Sequence, residues 1–186
     1  MKRIPNITGE IVDLIPYCSD YDEDIIRIRN LKDSKYYLSQ NFNLGIKDQK
    51  KWAAEYFLRE NDYYWIIICK ETKQFIGTTS LYELKNNIIE KGRLVVDSEV
   101  SLRKPYVLES EILILDFAFK ELNVEKIITY NKEDNLKMQS INKRLGFEKT
   151  QSVDINGNHY FGFLLSKENV TYTKLRKVIK MWGRRK

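Results

Sequence analysis

A single α+β domain, mixed α/β around one central sheet flanked by helices, is what three features of the sequence predict. The 186 residues suit one domain. Stretches rich in β-branched and aromatic residues alternate with stretches whose apolar residues recur at helical spacing. Gly and Pro are sparse, at 8 and 3, and no low-complexity linker divides the chain.

The elements follow in order. Residues 10–17 (EIVDLIPY) alternate apolar and polar positions in part and read as a first strand. Residues 20–31 carry acids at the start and Ile25, Ile26 and Ile28 at helical spacing, which predicts a helix. Residues 32–45 are polar and aromatic and read as a loop or irregular helix. A second helix is predicted over residues 47–61, with Asp48 near its start and Trp52, Tyr56 and Phe57 expected in the core. Residues 63–69 and 75–84 read as a hairpin, residues 85–90 as a polar turn, and residues 92–96 as the next strand. Pro105 suits the first position of a helix running to about residue 122, apolar on more than one face and so largely buried. Residues 126–130 (KIITY) make a short strand, and residues 135–145 a helix stopped by Gly146. Asn156-Gly157 is a type I′ hairpin signal between two last strands.

Charge and rare residues narrow the function. The net charge is +6, yet residues 174–186 alone carry +7 and no acid, so the rest of the chain is about −1. A nucleic-acid groove would spread its basic footprint over the domain, so that function is disfavoured. The division expected is a domain over residues 1–168 and a basic amphipathic tail over 169–186. In the tail Leu175, Val178, Ile179 and Trp182 share one helical face. Its charges suit an anionic membrane surface or RNA, against the plainer reading of a helix packed on the domain with its charges in water. Two cysteines, Cys18 and Cys69, and a single histidine, His159, predict a reduced, cytoplasmic protein with no metal site.

Residues 135–147 (NLKMQSINKRLGF) resemble motif B of the Gcn5-related N-acetyltransferases (GNAT), in which an Asn after a strand is followed eleven and twelve residues later by Gly-Phe. Residues 75–81 (FIGTTSL) are similar to the family's third strand, 90–97 (EKGRLVVD) to its fourth, and 115–119 (LDFAF) to the middle of the following helix. The resemblance spans about residues 10–165, and the Arg29-Asn30 pair and Trp52 look most like the branch of ribosomal-protein N-terminal and nucleotide-sugar amine acetyltransferases. It implies a mostly antiparallel sheet and direct transfer of acetyl from acetyl-CoA, as co-substrate, to a primary amine. An amino sugar, free or nucleotide-linked, is the leading acceptor, and a protein N-terminus the runner-up. Homodimers are common in relatives.

The resemblance also assigns roles. An amide at Val95 or Val96 would stabilise the oxyanion, and Glu90, with Glu83 beside it, would be the base. Asn135 would contact pantetheine, against a plain helix-capping role. Tyr36, Tyr37, Gln40 and Asn41 would line the acceptor site. Two departures stand out. The diphosphate loop, residues 100–106 (VSLRKPY), has no glycine, so either Arg103 and Lys104 hold the diphosphate by charge or the chain is a non-catalytic binding module. Asn142 stands where many members carry an acidic Tyr, which leaves Tyr106 or water to protonate the thiolate.

Overall fold

The computed structural model describes residues 4–101, 104–155 and 157–184. Among these residues, eight strands form one sheet in the order β1-β2-β3-β4-β5-β6-β8-β7. They are β1 (Ile7–Thr8), β2 (Val12–Pro16), β3 (Tyr63–Cys69), β4 (Phe75–Lys85), β5 (Ile88–Val96), β6 (Lys126–Lys132), β7 (Glu148–Ile155) and β8 (Asn158–Ser166). Every neighbouring pair is antiparallel except β5 with β6, which runs parallel.

The helices cover both faces, as a strand set buried on both sides requires. On one face lie α1 (Asp22–Arg29), α2 (Lys32–Tyr37) and α3 (Ile46–Leu58). Ile25, Ile28 and Tyr56 of α1 and α3 pack there on Tyr64, Ile66 and Val95 of the sheet. On the other face lie α5 (Tyr106–Lys120), α6 (Leu136–Leu145) and α7 (Thr173–Gly183), where Ile112, Leu115, Leu145 and Ile179 meet Trp65, Ile67, Ile89 and Ile127. A four-residue helix, α4 (Ser98–Ser101), links β5 to α5. No helix among the described residues is long and apolar enough to cross a membrane.

Several expectations change. Residues 88–90 belong to β5, because the turn is compressed into Asn86 and Asn87, both at positive φ (50° and 61°), a backbone state Asn tolerates better than most residues. Residues 32–37 form the regular helix α2. Of the aromatic trio on α3, Tyr56 is buried and Trp52 stacks on it at 5.0 Å, but Phe57 is half exposed. Gly146 ends α6 in the left-handed state (φ 96°), as its position predicts. Asn156 lies outside the described residues, while Gly157 takes φ 74° between β7 and β8. The tail helix α7 seats Ile179 in the core, and Tyr172 just before it donates to Asp116 Oδ1 at 2.8 Å.

Candidate active site

The parallel pair β5 and β6 is joined only at its start. Ile88, Ile89 and Glu90 face Lys126, Ile127 and Ile128, and beyond that register the two strands part. β6 stays paired with β8 as far as Lys132, and β5 with β4 as far as Val96, so the separation opens a wedge inside the sheet. A groove of about 270 Å³ fills the wedge. Its walls are Lys91 to Val96 of β5, Thr129 to Asn131 of β6, Met138 and Ile141 of α6, and Tyr37 and Leu38 at the end of α2.

A bulge arms this wall. Ser80 pairs with Gly92 and Thr78 with Val95, which leaves one extra residue on β5, and Arg93 there adopts φ 52°. The extra residue resets the alternation of side chains, so Arg93 joins the face of Glu90 and Tyr82 instead of that of Lys91. Backbone direction follows as well. The Asp97 amide donates to Ile76 O at 2.8 Å. Alternation along an antiparallel ladder then points the Val95 amide at β4 and the amides of Leu94 and Val96 into the wedge. This corrects the expectation for Val95, whose side chain is also buried in the core.

Glu90 sits at the last paired position, on the α1–α3 face. The Tyr82 hydroxyl donates to its Oε1 at 2.6 Å, and the Arg93 guanidinium lies 4.1 Å from the Tyr82 ring centre. Arg93 in turn donates to the buried Asp62 at 2.7 Å. Burial pushes the Glu90 carboxyl above the ordinary carboxylate range; the Tyr82 bond draws it back, the charge of Glu83 adds to the rise and Arg93 opposes it. Burial and the Glu90 charge push the Tyr82 hydroxyl well up, so it stays a donor. Glu83 sits in a second irregularity of the β4–β5 ladder at φ 55° and lines, with Tyr82, Arg93 and the residues after α3, a hollow of about 390 Å³. Tyr82 and Arg93 were invisible to sequence reasoning, since only the bulged register brings them to Glu90.

On the opposite face the site is backed by a buried polar chain. The Lys91 ammonium pairs with Glu111 of α5 and lies 3.5 Å from Asn142 Oδ1. Asn142 donates to Asn131 Oδ1 at 2.6 Å, and Asn131 lines the groove.

The remaining candidates divide. Asn135 caps α6 by accepting from the Met138 amide at 3.2 Å and also lines the groove. Tyr37 lines the groove, while Tyr36 turns outward and donates to Asp134 Oδ2 at 2.7 Å. Gln40 braces the loop after α2, donating to Phe42 O at 3.0 Å, and Asn41 is exposed. Tyr106 is corrected: its ring is buried in the core, its hydroxyl 3.3 Å from Cys69 Sγ, so its side chain does not reach the groove. Lys104 is exposed, and Arg103 lies outside the described residues. Asp97, bonded by Arg27 at 2.7 Å, accepts from the Glu99 amide at 3.0 Å. His159 is exposed on the last hairpin.

Residues 12–148 match the family model described as an acetyltransferase (GNAT) domain. No curated protein matches the chain in sequence. Among solved structures, a nucleotide-linked sugar GNAT, FdhC in its apo form, superposes with a TM-score of 0.80 at 22% identity, covering 95% of this chain and 98% of that one. A GCN5-related N-acetyltransferase from Brucella melitensis gives 0.78 at 15% identity, covering 99% and 87%. Spermidine N-acetyltransferase from Vibrio cholerae, solved with CoA and spermine, gives 0.77 at 15% identity, covering 87% and 98%.

Proposed function

From the premise that the chain belongs to the GNAT acetyltransferase family, we propose that it moves acetyl from acetyl-CoA to the amine of a small polar acceptor, an amino sugar or its nucleotide-linked form. The observation that carries the reading is the half-buried Glu90 carboxyl, raised above its ordinary range where β5 and β6 part. A carboxylate so placed can take a proton from an ammonium group. The amine then attacks the thioester carbonyl.

The oxyanion donor is the Leu94 amide. Val96 stands six residues beyond Glu90, about 20 Å along an extended strand, too far for both to serve one reacting carbon. Leu94 is nearer, leaves room for a water between amine and carboxylate, and frees the Val96 amide for the pantetheine arm. Asn135 and the groove face of Met138 flank that arm, and Tyr37 closes the mouth.

The acceptor hollow supports the sugar over a polycation. Its carboxylates Glu60, Asp62 and Glu83 are matched by Arg59, Lys85 and Arg93, so it presents hydrogen-bonding groups of both signs and no net negative charge. The likeness to a nucleotide-linked sugar GNAT points the same way.

The test is acetyl release measured with nucleotide-linked amino sugars, free amino sugars, spermidine and a short peptide amine, at equal concentration. Turnover greatest with a sugar amine supports the reading. Preference for spermidine or the peptide overturns the acceptor, and no thermal stabilisation by millimolar acetyl-CoA overturns the reading as a whole, since ligand at 100 times its Kd should add about 2.7 kcal/mol.

A further inference from the structure

Breaking the thioester expels a thiolate, and the residues flanking the groove raise the question of what receives that charge. Among the described residues, three that line the groove are cationic: Lys91, Arg93 and Lys137. Arg93 is committed to Asp62 and stacked on Tyr82, on the face of the base. Lys137 is exposed on the first turn of α6. Lys91 differs from both. It is 2% exposed at the closed end of the wedge, one residue beyond the last β5–β6 pair, and faces α5 and α6.

Burying an ion pair is a poor way to gain stability, because desolvation of both charges offsets their attraction and an apolar pair of similar volume does as well or better. The Lys91 and Glu111 pair lies among apolar neighbours, with the Phe147 ring 5.5 Å from Nζ. A chemical role explains such a placement where packing does not. Nζ has three donors; one meets Glu111, one is directed at Asn142 Oδ1, and among the described residues the third meets no protein acceptor. Asn142, fully buried, orients the ammonium from α6 and is itself fixed by Asn131 on the groove wall.

Resting on the acetyltransferase reading above, we infer that Lys91, held by Glu111 and Asn142 at the closed end of the groove, is the cation that stabilises the departing CoA thiolate. The neutral amine, its first proton already on Glu90, bonds through nitrogen to the carbonyl carbon and gives up its second proton to water in the groove. The C–S bond then breaks, and its electron pair stays on sulfur opposite the ammonium. Glu111 tempers the charge and keeps Lys91 from turning outward.

The experiment needs no acceptor. CoA and desulfo-CoA, which lacks the thiol, are titrated calorimetrically into the wild type and into Lys91→Met/Glu111→Leu across pH, and the thiolate absorbance of bound CoA is followed. A cation close to the sulfur favours its ionised form. The expected result is about a tenfold greater thiolate fraction for bound than for free CoA at one pH, lost in the double variant. An unshifted thiol in the wild type overturns the inference, whether or not the variant folds. So does a shift that survives in a folded variant. Failure of both CoA and desulfo-CoA to bind the wild type overturns the acetyltransferase reading instead, and this inference with it.

Discussion

Replacing Tyr82 with Phe removes one hydroxyl and leaves the ring on which Arg93 rests, so its effect isolates the 2.6 Å bond to Glu90. That bond favours the ionised carboxylate, which burial and Glu83 disfavour. A general base acts only when ionised, so kcat/KM should climb with pH through a limb above the ordinary value of 4.5. A hydrogen bond to a charged group is worth about 1.5–3 kcal/mol. Its loss should move the limb to higher pH and lower kcat/KM on the acid side by about tenfold or more, while the plateau changes little. Glu83→Gln removes a like charge and should move the limb the other way. Glu90→Gln should cost about 10²–10⁴ on the plateau above the limb, or about 2.7–5.4 kcal/mol of barrier, with acetyl-CoA still bound. The assay is steady-state kcat/KM across pH for the four proteins. A limb unmoved by both Tyr82→Phe and Glu83→Gln, or a full plateau rate in Glu90→Gln, refutes Glu90 as the base.

Three further outcomes follow from the same geometry. Asp116 is lifted by burial but held below the usual carboxylate range by Lys120, Tyr172 and Arg176. The stability it contributes is therefore present above pH 3.8 and lost as pH falls through its lower folded value, so Asp116→Asn should lower Tm at neutral pH and converge on the wild type in acid. Ala at Gly77 would set its Cβ 2.8 Å from Val96 Cα and against the Val95 carbonyl oxygen, so the groove wall must shift; thermal unfolding should show a loss of about 1–3 kcal/mol, with weaker acetyl-CoA binding by calorimetry. Lys104→Glu should weaken acetyl-CoA binding in a salt-dependent way and leave S-acetylpantetheine, which has no diphosphate, unaffected.

The parts of the molecule written in local chemistry were legible in the sequence. Asn135 and Gly146 bracket α6 because one side chain caps a helix start and the other tolerates φ 96° at its end. Glu90 was visible as a candidate only through the resemblance of residues 90–97 to the family's fourth strand, since periodicity alone placed it in the turn before that strand. What could not be read was register. The bulge at Arg93 turns one side chain to the opposite face and decides which amides enter the wedge, and no residue type there announces it. Tyr82 reaches Glu90, and Lys91 reaches Glu111, only across strands and layers 8 and 20 residues apart. The pair Asn86-Asn87 did hold a usable signal, since two residues tolerant of the left-handed state mark a tighter turn than one running from residue 85 to residue 90.

The loop without glycine can be understood in the same terms. A glycine-rich loop offers several amides to a diphosphate, but here the carboxylate of Asp97, anchored by Arg27, takes the Glu99 amide and also bonds that of Val100. Those two donors are spent within the protein, and that capping holds Ser98–Ser101 as the short helix α4. Pro105 falls at the N-cap of α5, not inside it, so its missing N–H removes none of the first-turn donors. No side chain among the described residues caps that turn. The amides of Tyr106, Val107 and Leu108 thus point out of the helix start together, at its positive end and beside the exposed Lys104. Val107 also lines the groove, so on the proposed reading a pantetheine arm along Val96 would lead its diphosphate to these amides. Glycines serve to bring a loop close to phosphate; on the proposed reading a helix start at the groove's open end would meet the same demand with fewer donors and an added cation.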